Sequence, residues 1–330
     1  MSDTTPQPQL QRMMIVILNY RTADLTIDCL HSLVAEVQSR PETQVVVSDN
    51  DSQDGSVERI GAAIAAEGWG DWVTLMPLER NGGYAYGNNA VLRRALESPE
   101  PPPYYLLLNP DTIVRPGAVQ ALVDFLKSHP EIGIVGSRLE DPDGTPQISA
   151  FRVPSLWTEL DFGFRIGLIT RLLSQRTLAP AVVDQSCQTG WVAGASMLIR
   201  REVFESVGLL DEKYFMYFEE VDFCLQAQRA GWPCWYQPES RVVHLVGQSS
   251  GVTDTKRLPK RLPTYWFSSR RYYFLKNHGW LYTALTDAVF MIGLSLLNLR
   301  RLIQRKPNTD PPQLLSDFFL NSVFLKGGQG

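Results

Sequence analysis

Asn109-Pro110-Asp111 stands directly behind an apolar run. A carboxylate fixed there, beside an amide oxygen, can hold a hard divalent cation bridging a diphosphate. The same residue types are common in a strand-to-helix turn, so the triplet alone leaves both readings open. Further along, Tyr217-Phe218-Glu219-Glu220-Val221-Asp222 sets three carboxylates among aromatic residues. Acidic residues in a first helical turn favour the helix dipole, which is the plain structural reading. The chemical reading is that Glu219 and Glu220 leave a helix start in different directions, one structural and the other facing a cleft as a general base. Neighbouring carboxylates and the rings of Phe215, Tyr217 and Phe218 would raise that base's pKa toward a useful range.

His244 ends a strand-like stretch and precedes Gly247-Gln248-Ser249-Ser250-Gly251, whose backbone N–H groups suit phosphate oxygens. Its imidazole would supply the nitrogen ligand completing a cation site begun at Asp111, although a single histidine is often a satisfied structural residue. Asn81-Gly82-Gly83-Tyr84 and Gly87-Asn88-Asn89 open a helix whose N-terminus favours an anion. This is neither a G-x-G-x-x-G fingerprint nor a Walker loop, so a dinucleotide or ATPase assignment has no support. His31 and His129 fall on or at the end of predicted helices and read as surface residues.

These groups need a scaffold, and hydrophobic periodicity supplies one. Strands are predicted over 13–18, 44–48, 72–77 and 104–108, with helices over 22–37, 57–66, 87–95 and 116–128. Alternating strands and helices mean a parallel α/β sheet, whose ligands bind beyond the carboxyl ends of the strands. The polar clusters behind the first, second and fourth strands all lie at that edge. From about Asp141 the rhythm loosens, and 157–178 reads as a lid or docking surface. A strand is predicted over 192–199, a helix over 201–207, a helix over 222–230, and strands over 233–236 and 241–244. Helices over 264–276 and 281–304 follow a linker at 251–264.

The chain has 330 residues and a net charge of −4, split between a body (1–250) at −12 and a tail (251–330) at +8. The acidic body argues against nucleic acid as a partner, while the basic tail suits phosphate or an anionic membrane. Four cysteines without a C-x-x-C pair argue against a zinc site or a disulfide framework and suit a reducing compartment. Residues 1–12 read as a flexible polar tail without the apolar core of a signal peptide. Asp287 interrupts the apolar run 279–299, leaving less than a spanning helix needs. Leu285, Val289, Ile292, Leu296, Leu299 and Ile303 recur at helical spacing ahead of Arg300, Arg301, Arg305 and Lys306. That pattern suits an interfacial helix on anionic lipid, or equally a helix packed on the domain or on a second subunit as a homodimer.

Taken in order, the segments resemble the family 2 glycosyltransferases, specifically the rhamnosyltransferase-like branch that builds bacterial surface polysaccharides. The resemblance is carried by 15–20, 47–56, Asn81-Gly82-Gly83-Tyr84, Gly87-Asn88-Asn89, 107–112, 194–201, 215–225 and Val243-His244 with 247–250. It implies a GT-A fold, an α/β architecture with a mixed, mostly parallel sheet flanked by helices, over 13–250. A basic, helical C-terminal extension over 251–330 follows. It also implies inverting, metal-dependent hexosyl transfer from a nucleotide-diphosphate sugar, a dTDP- or UDP-sugar with dTDP-rhamnose favoured. The acceptor would be a glycan. The cysteine usage and the N-terminus independently point to a cytoplasmic location. If the basic helical tail places the chain peripherally on the inner face of the plasma membrane, a polyprenyl-diphosphate-linked glycan is a sensible acceptor.

Carried over by position, Asn19 with its neighbours Leu18 and Tyr20 would line the nucleotide pocket. Asp49 and Asn50 would contact base or ribose, and Gly83, Tyr84 and Asn88 would close over the nucleotide, with Asn89 a weaker candidate. Asn109 and Asp111 fall on the D-x-D motif, with Asp111 and His244 as ligands for Mg2+ or Mn2+. Glu220 falls on the catalytic base, and Trp191, Gly194, Glu219 and Asp222 on the acceptor or sugar cleft. The chain departs from the pattern at Asn109, where aspartate is usual, at Glu220, where aspartate is commoner, and at Gln226, where arginine is frequent. Two other readings remain to be separated. A non-catalytic sugar-nucleotide or carbohydrate-binding protein would have no use for the base. A nucleotidyltransferase would need a glycine-rich loop where Asn19-Tyr20-Arg21-Thr22 stands.

Overall fold

The computed structural model describes residues 12–167, 171, 173, 176–245 and 260–328. The loop 246–250 and most of the predicted linker lie outside the described residues. The first half alternates strictly. β1 (Met13–Asn19), α1 (Ala23–Ser39), β2 (Thr43–Asp49), α2 (Ser56–Ala66), β3 (Val73–Pro77), α3 (Gly83–Leu96) and β4 (Tyr104–Leu108) follow one another. The four strands are parallel, in the order β3-β2-β1-β4. β1 and β4 are apolar along nearly their whole length because helices cover both faces of the sheet.

The second half turns the sheet mixed. β5 (Thr112–Val114), α4 (Ala118–Ser128), β6 (Ile134–Glu140), β7 (Ala150–Phe151) and α5 (Leu156–Phe164) lead into β8 (Cys187–Thr189). Next come β9 (Trp191–Val192), β10 (Ser196–Arg200), α6 (Arg201–Val207), α7 (Glu219–Arg229) and β11 (Cys234–His244). β10 runs antiparallel between β4 and β6, and β11 lies parallel to β6. β5 and β8 each pair with β11, while β7 and β9 form a separate small sheet.

Three predicted elements differ from those observed. The strand expected over 192–199 is two strands in different sheets, because the chain turns at Ala193-Gly194. There the Ala193 N–H donates to Ser149 O (2.9 Å), and the Asn109 N–H donates to Ala195 O (3.0 Å). The strands expected over 233–236 and 241–244 are one strand, with an irregularity between Gln237 and Arg241 that accommodates Pro238. β6 carried no expectation, since Gly136, Ser137 and Arg138 break its apolar run. Gly136 is required there, as an added Cβ would meet Val192 at 2.5 Å.

The C-terminal part is α8 (Thr264–Ile303), α9 (Leu314–Asn321) and α10 (Val323–Lys326). α8 is broken at Gly279 (φ 78°, ψ 175°), matching the two helices expected. It is long and apolar enough in composition to cross a membrane. Its polar positions are nevertheless used inside the molecule. Arg270, 3% exposed, donates to Glu159 Oε2 and Asp287 Oδ1, both at 2.6 Å, and Asp287 Oδ2 accepts the Val323 N–H at 2.9 Å. One buried guanidinium thus ties α5, both halves of α8 and α10 together.

Candidate active site

A cavity of about 510 Å³ opens at the carboxyl edge of the parallel strands, within the range that holds a ligand of nucleotide-sugar size. Beneath its floor Asn19, at the end of β1, works as a knot. Its Nδ2 donates to Asp49 Oδ2 (2.6 Å), and its Oδ1 accepts from Thr22 and Thr26 (3.0 and 2.9 Å). Asp49 is further engaged by the Ser52 N–H (3.0 Å) and Oγ (2.7 Å). Both residues are fully buried, and neither lines the cavity. Leu18, Tyr20 and Asn50 do line it. Asn50 Nδ2 donates to Asn81 Oδ1 (2.8 Å) and Gly83 O (3.1 Å), fixing the turn that starts α3.

That turn leads into the opposite wall. The Tyr84 N–H donates to Phe215 O (2.8 Å), and a Cβ on Gly83 (φ +88°) would stand 1.9 Å from that oxygen. Only glycine allows this approach. Tyr84 Oη donates to Gly194 O (2.9 Å). Burial, with the charges of Glu220 and Glu219, holds that phenol protonated, well above its ordinary pKa. Asn88 faces inward, donating to Tyr84 O, and Asn89 donates to Leu210 O, so neither reaches the cavity.

Asn109, Pro110 and Asp111 form one side of the site. Asp111, 1% exposed, lies between β4 and β5, and its Oδ1 is 3.6 Å from His244 Nε2 at the end of β11. β5 pairs with β11 so that Thr112 stands opposite His244, which brings residues distant in sequence into register. A carboxylate and an imidazole at this spacing fit two ligand positions of a divalent cation. Among the described residues no cluster of three or more His, Cys, Asp or Glu is present, so the remaining positions would fall to substrate oxygens and water.

Glu219 and Glu220, on the first turn of α7, face the same cavity. Tyr217 and Phe218 before them both adopt left-handed backbone (φ 70°), a strained entry that aims the helix start at the site. Among the described residues, Oε2 of each glutamate is buried without a hydrogen-bond partner. Burial, then the neighbouring Glu220 charge, pushes Glu219 well above the usual carboxylate range. Burial pushes Glu220 up to about 7. The pair therefore holds a proton near neutral pH, and Glu220 is poised to exchange one.

Asp222 turns away from this cavity, accepting from Lys276 Nζ (2.6 Å) and Asn277 Nδ2 (2.8 Å). Gln226, where the family often has arginine, donates to Asp222 and Asn277 and completes that network. Trp191 also lies outside the lining; its ring stacks on Phe151 and its Nε1 donates to Arg152 O (3.0 Å). Gly194 lines the cavity, where an added Cβ would meet the Tyr84 hydroxyl at 2.7 Å. Sequence reasoning assigned no site role to Asn81, Met216 or Tyr265, all of which line it. Asn81 was in view as part of Asn81-Gly82-Gly83-Tyr84, whereas Tyr265 comes from the C-terminal extension. A second cavity, of about 460 Å³ beside β8, is lined by no carboxylate or imidazole, so the reactive groups converge on the first.

The family described as "Glycosyltransferase like family 2" matches residues 8–259. An N-acetylglucosaminyl-diphospho-decaprenol L-rhamnosyltransferase of Mycobacterium tuberculosis is 31% identical over 251 residues, covering 72% of this chain and 76% of the relative. A low-salt glycan biosynthesis hexosyltransferase of Haloferax volcanii is 28% identical, covering 68% of this chain and 64% of the relative. Among solved structures, a mannosyltransferase from Pyrobaculum calidifontis in complex with GDP-Man and Mn2+ superposes with a TM-score of 0.56 at 14% identity. That match covers 97% of this chain and 88% of the other, and it shows the fold. A mixed sheet whose parallel edge carries one cavity, with Asp111, His244 and two glutamates on its walls, is the GT-A arrangement, and the chain belongs to the family 2 glycosyltransferases.

Proposed function

We propose that the protein transfers rhamnose, with inversion, from dTDP-rhamnose to a hydroxyl of a glycan or polyprenyl-diphosphate-linked acceptor. The observation that carries this reading is the shared cavity, with Glu219 and Glu220 on one wall and Asp111 and His244 on another. Rhamnose as the donor sugar is supported by the name of the mycobacterial relative. Glu220 accepts the proton of the acceptor hydroxyl as that oxygen attacks the anomeric carbon. The bond from the anomeric carbon to the diphosphate oxygen breaks, and the nucleoside diphosphate leaves with the electron pair. Attack opposite the leaving group inverts the configuration and needs no covalent intermediate.

Asp111 and His244 would hold Mg2+ or Mn2+, which when bound supplies positive charge beside the leaving diphosphate; the Mn2+ of the mannosyltransferase complex supports this. Gly83 and Tyr84 hold the cavity wall closed against the loop at Phe215. Asn19 and Asp49 support the nucleotide site from below by fixing the ends of β1 and β2. Tyr20 and Asn50 provide its surface.

The apolar face of α8 is open, with Leu281, Leu285, Ile292, Leu296, Leu299 and Ile303 all about half exposed or more. Arg305 and Lys306 lie exposed at its end. This pairing of apolar area with cationic charge fits the inner leaflet, where a polyprenyl-linked acceptor resides. A homodimer through the same face is the competing use.

A thermal-shift screen of nucleotide sugars with and without Mn2+ tests the donor, with dTDP-rhamnose expected to stabilise most. Release of dTDP rather than pyrophosphate separates transfer from nucleotidyl chemistry. No release with any acceptor fraction would support a binding protein instead. Co-sedimentation with anionic vesicles should be lost in Leu296→Glu/Leu299→Glu; unchanged sedimentation would overturn the membrane assignment.

A further inference from the structure

Helix α8 lays one stripe along the segment that precedes the glutamates and the helix turn that follows them. Ser269 Oγ donates to Met216 O (2.9 Å), and Tyr272 Oη donates to Asp211 Oδ2 (2.8 Å). Lys276 Nζ donates to both Asp211 (2.7 Å) and Asp222 (2.6 Å). Positions 265, 269, 272 and 276 repeat at helical spacing, so Tyr265 belongs to the same stripe. Its ring meets Phe215 with centroids 5.3 Å apart and Tyr217 with centroids 6.0 Å apart. All three rings line the cavity beside Glu219 and Glu220. Phe215 is 37% exposed and lines the cavity.

From this arrangement we infer that Tyr265, carried by the C-terminal extension, is an acceptor-binding residue. With Phe215 it forms an aromatic wall that takes the C–H face of a pyranoside. The inference rests on the transfer reading above and adds the acceptor's place to it. An attacking hydroxyl must sit beside its base and opposite the diphosphate. The Asp111–His244 side is therefore taken by the donor, and the acceptor falls on the wall that holds Glu220. The groups offered there are aromatic faces and buried carboxylate oxygens. An aromatic face is electronegative and apolar, so it suits polarised C–H bonds, while the carboxylates suit the hydroxyls at the sugar's rim. The three hydrogen-bonded anchors on the following turns of α8 hold Tyr265 in place before any ligand arrives, which lowers the ordering cost of binding. The extension is in this way part of the acceptor site.

Saturation-transfer NMR on the full chain tests this, using methyl glycosides of glucose, galactose, mannose and N-acetylglucosamine as probes, with dTDP and Mn2+ present. Saturation should reach the ring C–H protons of at least one glycoside in the wild type and in Tyr265→Phe. It should fall at least fivefold in Tyr265→Leu, while dTDP affinity changes less than twofold. Phe215→Leu, altered from the opposite side of the contact, should show a loss of the same kind and serves if Tyr265→Leu does not fold. No transfer to any glycoside in the wild type, or undiminished transfer in the leucine variants, would overturn the assignment. Failure of the underlying donor reading shows separately, as nucleotide sugars that leave the wild-type melting temperature unchanged.

Discussion

Replacing Glu220 by glutamine keeps the side chain's size and removes its titration, and it should change stability and rate in opposite directions. Burial raises the Glu220 carboxyl from the ordinary 4.5 to about 7. Between those values the folded chain keeps a proton that the unfolded chain gives up, so stability falls as pH rises through that window and levels off above it. A tenfold change in proton affinity is worth about 1.4 kcal/mol. Ionised Glu220 therefore costs the fold about 3–4 kcal/mol at most, less whatever cavity water screens on its partly open side. Glu220→Gln escapes this cost and also relieves Glu219 of a like charge. Its melting temperature should exceed the wild type's above pH 7, on the order of a few degrees for a chain of this size, and converge with it near pH 4.5. Transfer should fall about 10²–10⁴-fold, the usual contribution of a general base, with dTDP-rhamnose stabilisation unchanged. Wild-type kcat/KM should rise with pH along a limb centred near 7. Melting curves across pH 4.5–8.5 and initial rates on the same preparations provide both readings. A variant with full activity, or one no more stable than wild type at pH 8.5, would refute the reasoning from burial to base.

Asp111→Asn should reduce the nucleotide-sugar thermal shift measured with Mn2+ to the level seen without it, and His244→Ala should act in the same direction. An undiminished Mn2+ effect in both would remove them as cation ligands. Gly83→Ala must place a methyl 1.9 Å from Phe215 O, so urea denaturation should show a loss of at least ~2 kcal/mol. Gly117→Ala, at a similar φ of +82° with open space around it, should cost only about 1 kcal/mol. Arg270→Met strands two buried carboxylates and should cost about 3–5 kcal/mol; adding Glu159→Gln and Asp287→Asn should recover much of it in the same assay.

The parallel half of the fold was legible because β1, β2 and β4 are covered on both faces, so their apolar runs announce themselves without reference to anything distant. β6 was not, because its polar members are satisfied only by tertiary partners: Ser137 Oγ lies 2.7 Å from Ser196 Oγ and 2.8 Å from Ser240 Oγ. The break at Gly194 was hidden for a related reason, since the turn is fixed by Ser149 and Asn109, both far away in sequence. In the site, residue type pointed to the groups that now share a cavity. It did not separate a polar residue that faces a ligand from one that ties strands together. Asn19 and Asp49 have the chemistry of nucleotide contacts and spend it on each other, and Asp222 spends its charge on Lys276.

That last pairing changes how the C-terminal segment is best understood. Its net positive charge suggested a tail turned toward phosphate or lipid, yet much of the charge is paired within the molecule. Arg270 bridges Glu159 and Asp287, Lys276 bridges Asp211 and Asp222, and Arg261 holds Asp317 through two bonds. Lys276 and Asn277 grip α7 only two residues beyond the proposed base, and Ser269 holds the loop that precedes it. α7 is short, and its strained entry at Tyr217 and Phe218 lacks a side-chain cap; those external grips supply what local capping does not. A chain cut before α8 would keep every residue of the family motifs but lose the contacts that aim Glu219 and Glu220. The aim of α7, which carries the proposed base, is set by the extension, and the same helix α8 that would rest on lipid through its distal half sets it through its proximal half.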